Sequence, residues 1–108
     1  MSKPLKLQII ENAKALIQDE RNWCRGQLAR DADGLSVNAT DSGVVRRCAL
    51  GALVSAAYQL THDHRQAYDL AINALRPTCG SATLVSTNDM SGHTAVLALL
   101  DEARRRGE

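Results

Sequence analysis

Three cysteines, Cys24, Cys48 and Cys79, share this chain with His93 and an adjacent Asn88-Asp89 pair, and these are the side chains with which it could do chemistry. A thiolate becomes a strong nucleophile when a helix N-terminus or a positive charge lowers its pKa, and a histidine oriented by Asn or Asp can take the proton. Cys48 with His93 and Asn88 or Asp89 would complete such an arrangement, with Cys24 as the other candidate nucleophile. The reaction class implied is that of a thiol-dependent hydrolase or transferase. The competing reading is packing. Cys48 precedes Ala49, Leu50 and Gly51 and falls about a turn inside the helix predicted for that segment, where the dipole has faded, and free cysteine is among the most buried residue types.

Cys24 and Cys48 would also meet if a hairpin packed on that helix, which would allow a disulfide or a metal shared with histidine. Zinc sites rest on close Cys/His pairs, and the only close pair here is His62-Asp63-His64, which reads as exposed residues around a helix cap. No metal and no cofactor is therefore expected. Trp23 stands among very few aromatic residues, and Arg25, Arg30, Arg46 and Arg47 lie close by in sequence. Trp with Arg is the usual content of a binding hot spot, and the arginines could converge on an anion. The alternatives are a Trp23 that anchors the chain through its indole N–H, and arginines that pair with Asp31, Asp33 and Asp41 on a solvated surface. Asn88 and Asp89 have a capping role open to them besides a binding one. The candidate binding residues are thus Trp23, Arg25, Arg46, Arg47, Asn88 and Asp89.

The elements that must position these residues follow from hydrophobic spacing. Leu5, Ile9, Ala13, Leu16 and Ile17 predict an amphipathic helix whose stripe runs over residues 4–18 and which ends near Arg21-Asn22, capped by Ser2, with Pro4 in its first turn. The helical period fails over residues 23–38, where Asp33-Gly34 marks a turn, and a short β-hairpin is expected. Residues 46–57 are nearly all small or apolar, which predicts a helix over about 43–60 buried on every side, with caps offered by Thr40, Asp41 and Ser42. Asp63 and Gln66 resemble a capping box opening a third helix through Leu75, which Pro77 stops. Residues 77–87 read as a loop with a short extended piece at Thr83-Leu84-Val85. Asn88 to Ser91 then cap a last helix carrying Val96, Leu97, Leu100 and Ala103, and Arg104-Arg105-Arg106 complement the negative end of its dipole.

A chain of 108 residues is expected to form one domain with a core that needs no staple. Aromatic residues make up 3% against 44% hydrophobic, so the core must be aliphatic and alanine-rich, which favours packed helices over a β-sandwich. Lys and Arg number 13 against 12 Asp and Glu, so no global field draws in nucleic acid. The odd cysteine count, without CxxC spacing, a signal peptide or a membrane-length apolar run, predicts a reduced, cytoplasmic protein.

Four separated motifs occur in order: Trp23-Cys24-Arg25-Gly26; Ala29-Arg30-Asp31-Ala32-Asp33-Gly34; Cys48-Ala49-Leu50-Gly51-Ala52-Leu53; and Asn88-Asp89 ahead of a Leu-rich helix. Together they resemble an uncharacterised domain family of bacteria and their phages, over most of the chain. The sequence departs from that pattern at Arg47, where an aromatic residue often stands, and at His93, where Arg is common. The resemblance brings no established activity, and its phage association implies a modulator of host defence or of another host complex.

The expectation is a mainly α fold, residues 1–108, with about four helices around a buried central helix and a small β-hairpin after the first. For function two classes are carried: a non-enzymatic module that binds a protein partner, without nucleic acid or membrane, or a small thiol-dependent enzyme using Cys48, His93 and Asp89.

Overall fold

The computed structural model describes residues 3–76 and 78–107. Helix α1 (Leu5–Ile17) buries Leu7, Ile9, Ile10, Ala13 and Ile17. Pro4 stands just outside it as the N-cap, its carbonyl accepting from the Leu7 and Gln8 amides. The expected cap at Ser2 lies outside the described residues. The helix ends at Ile17, about four residues before the expected end near Arg21-Asn22, because the Asp19 carboxylate takes the Arg21 amide and opens a separate 3-10 turn at Glu20–Asn22.

The excursion after α1 holds strands β1 (Ala29–Asp31) and β2 (Ser36–Val37), joined by a turn in which Asp31 Oδ1 accepts from the Asp33 and Leu35 amides. Gly34 adopts φ +82° there, as the Asp-Gly signal predicts. The hairpin belongs to a larger unit than expected. Residues Val44–Arg47 form a third strand, β3, which pairs antiparallel with β1 to give the order β2-β1-β3, with Ala29 opposite Arg47 and Arg30 opposite Arg46. The buried helix α2 (Ala49–Thr61) therefore starts about six residues later than the sequence suggests. The capping side chains before it make turns instead: Asp41 Oδ1 accepts from the Gly43 amide, and Asn38 Oδ1 from Thr40. Pairing with β1 outweighs helix extension for Val44 and Val45, whose branched side chains favour a pleated strand.

Every residue from Ala49 to Ala57 is buried, as expected for a helix that is apolar all round. α2 packs against α1, against α3 (His64–Leu75) and against α4 (Ser81–Met90), while α5 (His93–Gly107) packs against α1, α3 and α4. Gly51 allows the closest approach. A Cβ there would run into the carbonyl of Leu28 on the excursion, and that same carbonyl accepts from the Cys48 amide at 3.0 Å. Ser55, also buried, donates its hydroxyl to the Ala39 carbonyl at 2.6 Å and accepts from Arg47 Nε at 2.8 Å, tying sheet to helix with no polar atom stranded.

Asp63 caps α3 as predicted, accepting from the Arg65 and Gln66 amides. His62, at φ +55°, ends α2 in the left-handed region, and His62 and His64 are both exposed beside Tyr58. Pro77, the expected stop, lies outside the described residues. The loop with an extended piece expected over 77–87 is corrected: residues from Ser81 onward form α4, so the described residues hold five helices rather than four. Its Asn88-Asp89 pair occupies the last turn of α4 instead of capping α5. No helix among the described residues is long and apolar enough to cross a membrane.

Candidate functional site

Trp23, Cys24, Cys48, Asn88 and Asp89 meet where the chain leaving α1, the start of α2 and the end of α4 converge. Asn88 is at the centre and only 1% exposed. Its Oδ1 accepts from the Trp23 indole N–H at 2.6 Å and from the Ala49 amide at 2.9 Å; its Nδ2 donates to the Cys24 carbonyl at 3.1 Å and to Asp89 Oδ1 at 3.0 Å. A side-chain amide has two acceptor and two donor positions, so Asn88 is fully used. It does cap a helix, but across space: Ala49 is the first residue of α2, and its amide has no partner within the helix. The indole therefore finds a side-chain acceptor rather than a backbone one.

Asp89, next on α4, accepts the Gly26 amide at 3.0 Å through the same Oδ1 that takes the Asn88 bond. Those two donors, the Gly26 amide first, hold its carboxyl below the ordinary 3.8, with the nearby Arg25 charge adding to the effect. A carboxylate at the C-terminal end of a helix opposes the helix dipole, so α4 itself gives no reason for an Asp there.

The thiols are enclosed. Chain order beside the parallel bridge between Trp23 and Arg47 makes Cys24 and Cys48 neighbours in register, and the Cys24 amide donates to the Arg47 carbonyl at 3.1 Å. Cys48 is the N-cap of α2, with Sγ accepting from the Gly51 amide at 3.3 Å, and not a residue one turn inside the helix. Capping favours a thiolate, yet burial wins and pushes the Cys48 thiol up to about 11. Burial also raises Cys24, against the pull of Arg30 and Arg46, and raises the half-buried Cys79.

His93 is turned to other work. Its Nε2 lies 2.6 Å from the Ile17 carbonyl, which can only accept, so Nε2 carries the proton and closes the end of α1. Its ring packs on Trp23 with centroids 5.4 Å apart. The arginines do not converge. Arg47 points inward to Ser55, Arg25 lies over the Trp23 ring at 5.2 Å, and Arg30 donates to the Gly34 carbonyl at 2.8 Å. Among the described residues none of Arg25, Arg30, Arg46 and Arg47 forms an ion pair, and Asp31 and Asp41 serve their own turns. Nor do the described residues contain a group of three His, Cys, Asp or Glu side chains placed to hold a metal.

The model of a family of unknown function, DUF6197, matches residues 1–106. The chain belongs to DUF6197. No curated protein and no solved structure matches it. The four motifs that resemble an uncharacterised family thus lie within the matched span, and in this DUF6197 domain three of them, Trp23-Cys24, Cys48-Ala49 and Asn88-Asp89, are joined through Asn88.

Two clefts open beside that junction. One of about 260 Å³ is lined by Gly26, Gln27, Leu28, Cys48, Val85 and Asp89, with Asn88 at its base. The other, about 600 Å³, runs along α4 between Leu50, Tyr68, Val85, Asp89 and Met90. Val85 and Asp89 belong to both, so the clefts form one groove. Leu28, Tyr68, Val85 and Met90 are exposed on it, Met90 to 82%. Sequence reasoning misses this wall of the DUF6197 domain because residues 77–87 read as loop. The available signal was Leu84 and Asn88, four apart and the two buried residues of α4, which leave Val85 and Met90 on its outer side.

Proposed function

We propose that this domain is a small non-enzymatic protein-binding module whose interface is the groove along α4, and that it acts as a modulator, most simply an inhibitor, of a host protein complex in a phage or mobile-element setting. The observation that carries the docking reading is the groove's wall: four apolar side chains, Leu28, Tyr68, Val85 and Met90, stand exposed together around one carboxylate, Asp89. A mixed apolar surface with a single oriented charge is what a partner's buried anchor requires. The host setting is supported only by the resemblance of the sequence motifs. Thiol chemistry has less support. Cys48 is buried with its thiol pushed up to about 11, and His93 spends its Nε2 proton on Ile17.

The test is affinity capture from extracts of the producing cell and its host, using the wild-type domain and Met90→Glu as baits of equal circular dichroism. A protein held by the first, lost from the second and rebinding when purified supports the reading. Equal capture by both baits, or a Cys48-dependent turnover of thioester or amide substrates, overturns it.

A further inference from the structure

We infer that the groove takes a partner segment presenting a lysine or arginine beside an apolar residue, the cation seated on the free oxygen of Asp89 and the apolar neighbour against Leu50, Val85 and Met90. The inference rests on the docking reading above and names the chemistry of the partner.

Three observations carry it. Both donors that hold Asp89, the Gly26 amide and the Asn88 side chain, use Oδ1. Its Oδ2 accepts no hydrogen bond from the described residues and the side chain is only half-buried, so the carboxylate is oriented with one oxygen left open to a partner. Second, Asp89 and Val85 line both clefts, so a chain that spans the two lies against the carboxylate and an apolar neighbour together. Third, the carboxylate sits on the last turn of α4, where the helix's own negative end adds to the attraction for a cation and to the repulsion of an anion. Arg25, whose charge acts on Asp89, lies over the face of Trp23 and forms no ion pair with the carboxylate among the described residues. An acidic segment would therefore meet like charge, and a purely apolar one would leave Oδ2 desolvated without a donor.

The probe is a displayed library of random peptides selected against the intact domain, with counter-screens on Asp89→Asn and Met90→Glu, both checked for native circular dichroism. The substitution at Asp89 keeps an oxygen for the Gly26 amide and the Asn88 side chain, and replaces the charged acceptor at Oδ2 by an NH2 donor. Binders sensitive to Met90→Glu should share a Lys or Arg next to an apolar position and lose about tenfold in affinity on Asp89→Asn, as a charge-assisted hydrogen bond would. Groove binders without a basic position, or indifferent to Asp89→Asn, overturn the inference and leave the docking reading standing. A library yielding no binder sensitive to Met90→Glu removes the docking reading itself. Concentration-dependent self-association abolished by Met90→Glu would assign the groove to a second copy of this chain and likewise overturn the inference.

Discussion

The Trp23 indole N–H donates to Asn88 Oδ1 at 2.6 Å across 65 residues of sequence, and the same oxygen caps the first amide of the buried helix. One side chain thereby fixes the exit from α1, the start of α2 and the end of α4. The floor of the groove inherits its rigidity from this junction, since Asp89 and Gly26 are held by it from both sides.

Asn88→Ala should be among the most destabilising single changes in the chain. It deletes four hydrogen bonds and leaves the Ala49 amide, the Trp23 indole and the Cys24 carbonyl without their partner, a loss of about 3–5 kcal/mol. A domain of this size has only about 5–15 kcal/mol in total. Trp23→Phe removes one of the four bonds and keeps a ring against His93, and should cost about 1 kcal/mol. Urea denaturation of the two variants measures the ratio; equal losses would mean that the ring and not the network is the anchor.

Gly51→Ala places a methyl group in the carbonyl of Leu28, a backbone atom that cannot rotate away. The excursion would have to lift from α2, breaking the bond from the Cys48 amide to that carbonyl. A loss of about 2–3 kcal/mol is expected despite the better helix propensity of alanine. The same change at Gly80, which has open space around it but caps α4, is the control and should cost no more than about 1 kcal/mol, the preference of an N-cap for glycine over alanine.

What the sequence conveys here depends on how each element is stabilised. α1, the body of α2, α3 and α5 carry apolar residues at helical spacing, and Asp63 announces the start of α3, so all four are legible. α4 has Ser81, Thr83, Ser86 and Thr87 among its ten residues and buries only Leu84 and Asn88. Its helicity comes from tertiary contacts that local propensity does not encode. β3 is hidden for a related reason: Val44 to Arg47 runs straight into the apolar stretch of α2, and only its pairing with β1 separates the two. At the site, the coming together of Trp23, Cys24, Cys48 and Asn88 was within reach of sequence reasoning as a set of candidates. The exposed wall of Val85 and Met90 was not, because it exists only once α4 is a helix.

Stability should fall in acid through the carboxylates the fold holds low: Glu102, lowered by its hydrogen bonds to Arg106 and Arg105, is exposed and adds a small share, while Asp19 and Asp89 separate two kinds of cause. Asp19, lowered to about 2 first by its hydrogen bonds to Arg21, and Asp89, lowered by the Gly26 amide and Asn88, have folded-state values below their unfolded ones. Each contribution is complete above pH 3.8 and is lost as pH falls through the folded value, so the loss runs from about pH 4 down toward 2. Asp19 is exposed and pairs with a cation, so its share is small and should fade in about 0.5 M salt, whereas Asp89 is held by N–H groups and its share should persist. Denaturation of wild type, Asp19→Asn and Asp89→Asn at pH 3 and pH 6 in low and high salt separates the two. Salt that erases the Asp89 share would show that Arg25, and not the hydrogen bonds, controls it.

In alkali the decisive group is Cys48. Its folded-state thiol is raised by burial from 9.0 to about 11, so the unfolded chain releases its proton first. The stabilisation is complete below pH 9 and is lost as pH rises toward 11, about 2–3 kcal/mol over that window. Cys48→Ser removes its titration and keeps an N-cap acceptor for the Gly51 amide, so it should shrink the alkaline arm to the share of Cys24 and Cys79 while staying within about 1 kcal/mol of wild type at pH 7; Cys48→Ala loses the cap as well and should cost about 1 kcal/mol more. Alkylation read by mass spectrometry gives the kinetic counterpart. The half-buried Cys79 should be labelled first, with Cys24 and Cys48 reacting only as the protein unfolds. Rapid labelling of Cys48 below pH 7 would require an accessible thiolate where the fold places a buried thiol, and would turn the argument from docking to catalysis.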